Sequence, residues 1–262
     1  MVKSLDIGAT GMRAMQSKID VVSNNLANVN TNGFKKNRAN FQDLLYQTEK
    51  APGLSNTAGR PTPTSRQYGL GVHVADTSKE FGQGTLKNTQ NPLDVAIEGN
   101  GFFQITLPDG TLAYSRAGSF NVDDQGRICN SQGYLLEPQI TIPPDAVNVM
   151  VGEDGTVSVK QGNEVEAVEI GNIQLASFVN SGGLDAVGGN LFKESTASGA
   201  PIINIPGDNG TGSLRQGFLE GSNVEMVNEM VEMITGQRAY ELNSKSVKTS
   251  DEMLQTATQL KR

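Results

Sequence analysis

The segment LDIGATGMRAMQSKIDVVSNNLANV, residues 5–29, decides the fold at one end of this 262-residue chain. Its apolar residues are separated alternately by three and four positions, which is the spacing of a coiled-coil seam. The seam positions are Leu5, Gly8, Met12, Met15, Ile19, Val22, Leu26 and Val29. Asn24, Asn25 and Asn28 lie beside the seam, where polar groups can fix register and oligomeric state. We therefore predict a helix within residues 1–33 that ends at Thr31-Asn32-Gly33 and packs against a partner helix.

A second helical pattern occupies residues 222–262. Ser222 and Asn223 are residue types suited to an N-cap, and Glu225 and Glu229 suit the first turns. Apolar residues recur every seven positions at Met226, Met233, Tyr240, Val247 and Leu254. They are flanked early by Val227, Met230, Val231 and Ile234. We predict that this helix pairs with the N-terminal one.

The region between the helices, residues 71–221, has the pattern of β structure with sharp turns. Short runs rich in β-branched and aromatic residues flank Pro108-Asp109-Gly110, Asp123-Asp124-Gln125-Gly126 and Glu153-Asp154-Gly155, which predicts three hairpins. No helical periodicity interrupts this region, so we expect an all-β domain of sandwich or barrel type. The predicted fold class is mainly β with terminal α-helices. Residues 34–70 are polar and rich in Pro and Gly after residue 47, which predicts an extended linker or arm.

Composition argues against most catalytic and nucleic-acid functions. The net charge is -7, which is unfavourable for binding nucleic acid. The chain has one cysteine, Cys129, and one histidine, His73, so we predict no disulfide, metal site or cofactor site and no catalytic residues. The segment Gly99-Asn100-Gly101 lacks the third glycine of a dinucleotide-binding loop. Asp109, Asp123 and Asp124 fit turns better than a calcium site. We expect no membrane span and no cleaved signal peptide.

The thin apolar seams favour contacts between chains. A hairpin of two such helices would be marginally stable alone, whereas many copies around a common axis would bury the seams. Intermolecular assembly is therefore our first hypothesis. The alternative is a β-domain binding module or hydrolase whose terminal helices form a hairpin within the same chain only.

Three separated motifs resemble the family of bacterial flagellar axial proteins, which build the rod and hook. Residues 14–34 resemble the N-terminal signature of that family. Residues 91–103 and 114–120 are similar to its central motif, and residues 222–224 and 237–241 to its C-terminal pattern. The length, Leu44-Leu45-Tyr46-Gln47-Thr48 and Ile140-Thr141-Ile142-Pro143 are most similar to a subunit of the distal rod. A proximal rod or hook subunit is the alternative within the family.

The resemblance implies a structural subunit that polymerises helically into a rigid drive shaft around an export channel. Its terminal helices would be disordered in the monomer and form a coiled coil on assembly. Expected partners are other copies of itself, proximal rod proteins and hook protein at its ends, the basal-body rings and the flagellar export apparatus. The expected location is the rod where it crosses the periplasm. The arm would contact neighbouring subunits through Tyr46, Pro52, Pro61 and Pro63.

Overall fold

The computed structural model describes residues 2–50, 64–162 and 167–259. These residues form a helix at each end of the chain and antiparallel strands between them, which confirms the predicted fold class. The chain divides into two compact units, each assembled from separated segments. The first unit draws on residues 1–26, 37–78 and 225–262, and the second on residues 27–36 and 79–224.

The first unit contains the two helices and two small sheets. Its elements are α1 (Val2–Ala27), β1 (Asn37–Asp43), β2 (Tyr46–Lys50), β3 (Arg66–Gly69), β4 (Val72–Lys79) and α2 (Met226–Gln259). Strand β1 pairs with β4, and β2 pairs with β3. In the described part of the chain neither helix is apolar enough to cross a membrane.

Helix α1 ends four residues before the predicted stop. The Thr31 backbone N–H bonds to the Asn28 carbonyl at 3.1 Å, and the Thr31 hydroxyl bonds to Asn28 Oδ1 at 3.1 Å. Such local side-chain bonds offer the backbone an alternative to the helix. Gly33 then takes a φ of 70°, which the predicted stop required.

The second unit is built from antiparallel strands. Its strands are β5 (Leu86–Asn88), β6 (Val95–Glu98), β7 (Phe102–Thr106), β8 (Leu112–Ser115), β9 (Phe120–Val122), β10 (Ile128–Asn130), β11 (Leu135–Glu137), β12 (Ala146–Val151), β13 (Thr156–Gln161), β14 (Val168–Asn172), β15 (Leu175–Ser177), β16 (Asp185–Gly188), β17 (Leu191–Lys193), β18 (Ile202–Asn204), β19 (Ser213–Gln216) and β20 (Phe218–Glu220). The largest sheet has the order β16-β17-β8-β7-β11-β10-β9, with β15 joining β7 to β18. Strands β12, β13 and β14 form a separate sheet, while β6 pairs with β19 and β5 with β20.

The three predicted hairpins are confirmed as β7–β8, β9–β10 and β12–β13. Their turns follow from local chemistry. Asp154 accepts the backbone N–H of Thr156 at 3.2 Å and its hydroxyl at 2.9 Å, and Gly155 between them has a φ of 87°. Asp109 and Thr111 repeat this pattern. An acidic residue followed by Gly and Thr thus closes two of the hairpins.

The core of the second unit consists of separate clusters of buried apolar side chains. Its largest buried cluster contains Val95, Ile97, Phe103, Phe120, Ile128, Leu136, Ile140, Ile142, Val157, Ile173, Leu175 and Leu214. A second cluster joins Phe102, Tyr114, Ala176, Leu184 and Phe192. Burial of this apolar surface is the main source of stability for the β structure.

Candidate assembly surface

The two helices pack against each other in antiparallel orientation along most of α1. The Ser4 hydroxyl bonds to the Ser250 hydroxyl at 3.1 Å near one end of the pair. At the other end, Asn25 donates from Nδ2 to the Glu229 carboxylate at 3.1 Å. Residue numbers increase along α1 as they decrease along α2 between these two contacts, so the helices run antiparallel within one chain.

Small residues set the close approach of the helices. A Cβ at Gly8 would lie 2.5 Å from the Val247 Cγ2, and a Cβ at Gly236 would lie 3.2 Å from the Ile19 Cγ1. Each glycine therefore forms a notch that receives a branched side chain of the partner helix. Gly8 occupies the predicted seam because of this contact, although an apolar side chain would bury more area.

Asn25 is the one predicted register residue that lies fully inside the helix pair. It is 2% exposed, and its Nδ2 also donates to the Asn37 carbonyl at 2.8 Å. Its Oδ1 accepts the Asn37 N–H at 2.9 Å, and the bonded Glu229 is 6% exposed. A buried amide of α1 that bonds to both α2 and β1 fits one alignment only, because a shift leaves these polar groups unpaired.

The remaining predicted packing residues lie at several depths. In the N-terminal set, Val22 is buried, Asn24 is exposed, and those of intermediate burial are Leu5, Met12, Met15, Ile19, Leu26 and Asn28. In the C-terminal set, Met226 and Tyr240 are exposed, and those of intermediate burial are Met233, Val247 and Leu254. The structure therefore brings Ile19, Asn25 and Val247 directly into the helix pair, whereas Met226 and Tyr240 face solvent.

The first turns of α2 carry an exposed apolar face that is distinct from the side touching α1. The α2 apolar face consists of Met226, Val227, Met230, Val231 and Ile234, which are between 47% and 67% exposed. Their spacing places them on one side of the helix. The sequence pattern predicts one broad apolar stripe on this helix, and it does not distinguish these exposed residues from the residues that touch α1. Large apolar residues grouped in this way on a surface mark an interaction site.

The beginning of α2 differs from the predicted caps. The helix starts at Met226, so neither Ser222 nor Asn223 is the N-cap. In the second unit, Asn223 Oδ1 accepts the Lys36 backbone N–H at 2.8 Å. Its Nδ2 donates to the Glu80 carbonyl at 2.7 Å. Asn223 therefore ties together three chain segments instead of capping a helix.

A buried ionic cluster of Lys35, Arg116 and Glu220 lies beside this tie in the second unit. Lys35 Nζ is 2.7 Å from Glu220 Oε1, and Arg116 Nη1 is 3.3 Å from Glu220 Oε2. The three side chains are 0%, 3% and 0% exposed, respectively. The Gly84 N–H also donates to Glu220 at 2.9 Å. Two cations thus share one carboxylate in the protein interior.

Backbone carbonyls complete the surroundings of the two cations. Lys35 donates to the Gly82 carbonyl at 2.8 Å, and Arg116 Nη2 donates to the Gly99 carbonyl at 2.7 Å. Burial lowers the pKa of both Lys35 and Arg116, and the charge of Glu220 opposes that shift. Breaking such a buried ion pair is strongly destabilising, since it leaves an uncompensated charge.

The ionic cluster was not predicted from the sequence. Lys35 follows the N-terminal motif directly, Arg116 lies in the central one, and Glu220 lies two residues before the C-terminal one. In each case the available signal was one apolar residue directly beside the charged residue, such as Phe34 before Lys35. The three motifs converge on one buried site in the folded chain.

The predicted arm is described only in part. Tyr46 lies on β2, is 56% exposed and pairs with Gly69 of β3. The ring of Tyr68, also on β3, lies 5.3 Å from Lys3 Nζ. Pro52, Pro61 and Pro63 lie outside the described residues.

The titratable residues of the described ranges bear on whether the chain could bind a metal ion. No group of three or more His, Cys, Asp or Glu residues there could hold a metal ion. Burial raises the pKa of Cys129, which makes its thiol less reactive at neutral pH. His73 is an exposed residue of β4.

Comparison with protein-family models gives three matches along the chain. Residues 5–35 match the flagella basal body rod protein family, and residues 96–159 match the flagellar hook protein FlgE/F/G D1 domain. Residues 215–260 match the flagellar basal body rod FlgEFG protein C-terminal domain. The matched ranges include most of the helix pair and all three residues of the ionic cluster, Lys35, Arg116 and Glu220.

Curated relatives are similar over the whole chain. A flagellar basal-body rod protein FlgG of Buchnera aphidicola subsp. Schizaphis graminum is 49% identical over 260 residues, covering 99% of this chain and 100% of the relative. The FlgG proteins of Borreliella burgdorferi and Bacillus subtilis are 48% and 43% identical, and both alignments cover 100% of each chain.

Proposed function

Because this chain belongs to the FlgG family of flagellar basal-body rod proteins, we propose that it polymerises into the distal rod through its helix pair. The family is a structural one, and its members take their place in the basal body. The subunit acts by assembly, and its helical polymer is the rigid shaft that transmits torque from motor to hook and encloses the export channel.

The α2 apolar face is the observation that supports polymerisation. Five large apolar side chains within nine residues of α2 are about half exposed or more in the single chain. Apolar burial stabilises by about 25 cal/mol per Å² removed from water, so covering this face with a neighbouring copy is favourable. The notches at Gly8 and Gly236 hold the two helices together, which leaves this face available to another subunit.

A helical polymer needs two different surfaces that meet head to tail. We propose that the paired helices, residues 1–33 and 222–262, form an inner tube, and that the β domain of residues 71–221 lies outside it. Asn25 sets the register of the pair through its bonds to Asn37 and Glu229. The arm within residues 34–70, with exposed Tyr46, contacts neighbouring subunits and stiffens the shaft.

The finer assignments of place and partner follow from the same proposal. The subunit reaches the part of the rod that crosses the periplasm through the flagellar export apparatus. Proximal rod proteins and hook protein meet the two ends of its polymer, and the basal-body rings surround it. The distal position rests on the full-length similarity to FlgG proteins.

A matched pair of valine substitutions tests the role of the α2 apolar face. Val227 is 67% exposed on α2, and Val147 is 74% exposed on the β sheet of the second unit. Both Val227→Asp and Val147→Asp should leave the monomer folded, since exposed sites tolerate such changes. We expect only Val227→Asp to abolish swimming when it replaces the native gene, and to stop rod growth in isolated basal bodies.

The readouts are the thermal unfolding midpoint of each purified monomer and electron microscopy of basal bodies. Normal swimming with full-length rods in the Val227→Asp strain would contradict the proposal. An equal loss of rods in both strains would also contradict it, because the effect would then not be specific to the α2 apolar face.

A further inference from the structure

The loop between β18 and β19 carries an exposed Asn-Gly pair, Asn209-Gly210. The Thr211 backbone N–H bonds to the Asp208 carbonyl at 2.9 Å and closes a turn around the pair. Asn209 has a φ of 48° and Gly210 a φ of 81°, so both residues inside the turn are left-handed. Asn adopts this conformation more readily than most residues, because its short polar side chain can bond locally. The chain therefore reverses at the surface on an Asn-Gly pair.

An asparagine followed by glycine can be modified without an enzyme. The backbone nitrogen of the glycine attacks Cγ of the asparagine side chain and forms a ring, the succinimide. The C–N bond of the side-chain amide breaks, and the proton of the attacking nitrogen leaves with the ammonia. Water then opens the ring at either carbonyl and leaves aspartate or isoaspartate, so the sum is one water consumed and one ammonia released. Glycine hinders the attack least because it has no Cβ.

The sequence contains three Asn-Gly pairs, and the structure separates them by burial. They are Asn32-Gly33, Asn100-Gly101 and Asn209-Gly210. The glycines of the first two pairs are buried, whereas both residues of the third are exposed. A Cβ at Gly33 would lie 2.6 Å from the Ala117 nitrogen, and one at Gly101 would lie 3.2 Å from Leu175 Cδ1. A Cβ at Gly210 would have nothing within 4 Å, so only the third pair has space to rotate.

Hydrogen bonding also distinguishes the exposed pair from the first one. The Gly33 N–H donates to the Glu220 carbonyl at 2.8 Å, which holds the nitrogen that would have to attack. The Gly210 N–H has no hydrogen-bond partner within the described part of the chain. The Asn209 side chain donates from Nδ2 to Asn204 Oδ1 at 3.4 Å, which is a long bond at an exposed position. Both reacting groups of the third pair are therefore weakly restrained.

We propose that Asn209 is the residue at which the folded subunit is deamidated, with water as the only co-reactant. Rotation of the Asn209 backbone brings the Gly210 nitrogen to Cγ and disrupts only the turn around the pair. Opening of an exposed loop costs little, whereas opening of a core segment costs up to the free energy of global unfolding. Asn32 and Asn100 therefore react only when the second unit opens. Each conversion adds one negative charge to a chain whose net charge is -7.

The two products affect the loop differently. Aspartate keeps the length of the backbone and places a second carboxylate next to Asp208. Isoaspartate adds one carbon to the backbone inside the turn that the Thr211 N–H and the Asp208 carbonyl close. The Thr211 hydroxyl also donates to the Ile205 carbonyl at 3.0 Å, and Thr211 is 7% exposed, so the longer backbone strains a packed residue. The isoaspartate form is therefore the less stable product.

Peptide mapping of the full-length monomer tests the site. The folded protein is incubated in warm, mildly alkaline buffer made with water labelled with heavy oxygen, and uptake of the label marks ring opening. We expect the peptide that contains Asn209 to convert about tenfold or more faster than those that contain Asn32 or Asn100, because the buried pairs need a costly opening. In urea the three peptides should convert at similar rates, since the reacting pair is the same in each.

The two other Asn-Gly pairs are internal controls, and Asn209→Ser is the matched variant. This variant keeps the loop polar at an exposed position, so it should fold normally and lose label uptake in that peptide alone. Equal conversion of all three pairs in the folded protein would overturn the proposal. An Asn209 that stays unmodified in the folded protein, after a time in which urea-unfolded chains convert it, would also overturn it.

A second measurement tests the effect on the turn. Ion-exchange chromatography isolates the converted protein by its added charge, and Asn209→Asp has the same charge with an unaltered backbone. We expect the converted protein, which contains isoaspartate, to unfold at a lower temperature than Asn209→Asp. Equal midpoints would contradict the strain assigned to the turn. These measurements use the monomer, so failure of the proposed rod function would not affect them.

Discussion

Replacing Glu220 with Gln tests how far the buried ionic cluster stabilises the β unit. The side chains of Glu and Gln have nearly the same shape, so the change removes charge with little change in volume. In the native chain the Glu220 carboxylate accepts from Lys35 Nζ at 2.7 Å, Gly84 N at 2.9 Å and Arg116 Nη1 at 3.3 Å. After the change, two buried cations face a neutral amide.

The expected loss is about 3–5 kcal/mol of unfolding free energy, the range for breaking a buried ion pair by removing one partner. The Glu220 side chain is 0% exposed, so water does not replace the lost charge. Lys35→Met should cost less, about 1–3 kcal/mol, because Arg116 and Glu220 then remain as a balanced pair. The ordering of the two variants follows from the charge count and is the sharper part of the prediction.

Urea unfolding of the full-length protein measures both values. The near-ultraviolet circular dichroism signal, to which the buried core residue Tyr114 contributes, reports on the β unit. A double variant, Glu220→Gln with Lys35→Met, should recover part of the loss, since it removes one of the two unpaired cations. The reasoning would be refuted if Lys35→Met destabilised as much as Glu220→Gln, or if Glu220→Gln cost less than about 1 kcal/mol.

Two further predictions concern the helix notch and a hairpin turn. Gly8→Leu should separate the helices at Val247 and reduce helix content in far-ultraviolet circular dichroism, with the β signal retained; unchanged helicity would contradict the notch. Thr156→Val should raise the pKa of Asp154, because the Thr156 hydroxyl and N–H hold the pKa of that carboxyl below its usual value of 3.8 in the native chain. The ionised Asp154 carboxylate stabilises the folded state fully at pH values above its usual pKa, and this stabilisation is lost as the pH falls through the pKa of the folded protein. The unfolding free energies of the wild type and the variant should therefore converge in strong acid. NMR titration of the Asp154 carboxyl checks this, and equal values in both proteins would exclude the bond.

Local patterns in the sequence predicted much of the fold. The β12–β13 hairpin could be predicted because Asp154, Gly155 and Thr156 contain all the chemistry of the turn. The helices at both ends could be predicted because their apolar residues repeat over many turns. Helix ends were less predictable, since the bonds of Asn28 and Asn223 to other groups decided where α1 stopped and what preceded α2.

The candidate site was less predictable because its contacts are distant in sequence. Periodicity emphasises apolar residues, so it missed that Gly11 and Gly236 also lie close to the partner helix, where an added Cβ would be 2.9 Å from Asn243 Nδ2 and 3.2 Å from Ile19 Cγ1, respectively. It also could not pair Lys35 with Glu220, since an ion pair between remote positions leaves no repeating signal. The direction that an apolar stripe faces depends on the small residues beside it, because these residues decide which side of the helix can approach its partner.

Because Lys35 and Glu220 are far apart in sequence, the β unit reaches its normal stability only when the chain contains both residues. The two residues are 185 positions apart, and they meet only after both chain segments are available. A chain that ends before Glu220 would leave Lys35 and Arg116 without their shared carboxylate, so its β unit could not close at normal stability. A chain that lacks Glu220 therefore carries two uncompensated buried cations, and its larger unfolded fraction makes it a better substrate for proteases.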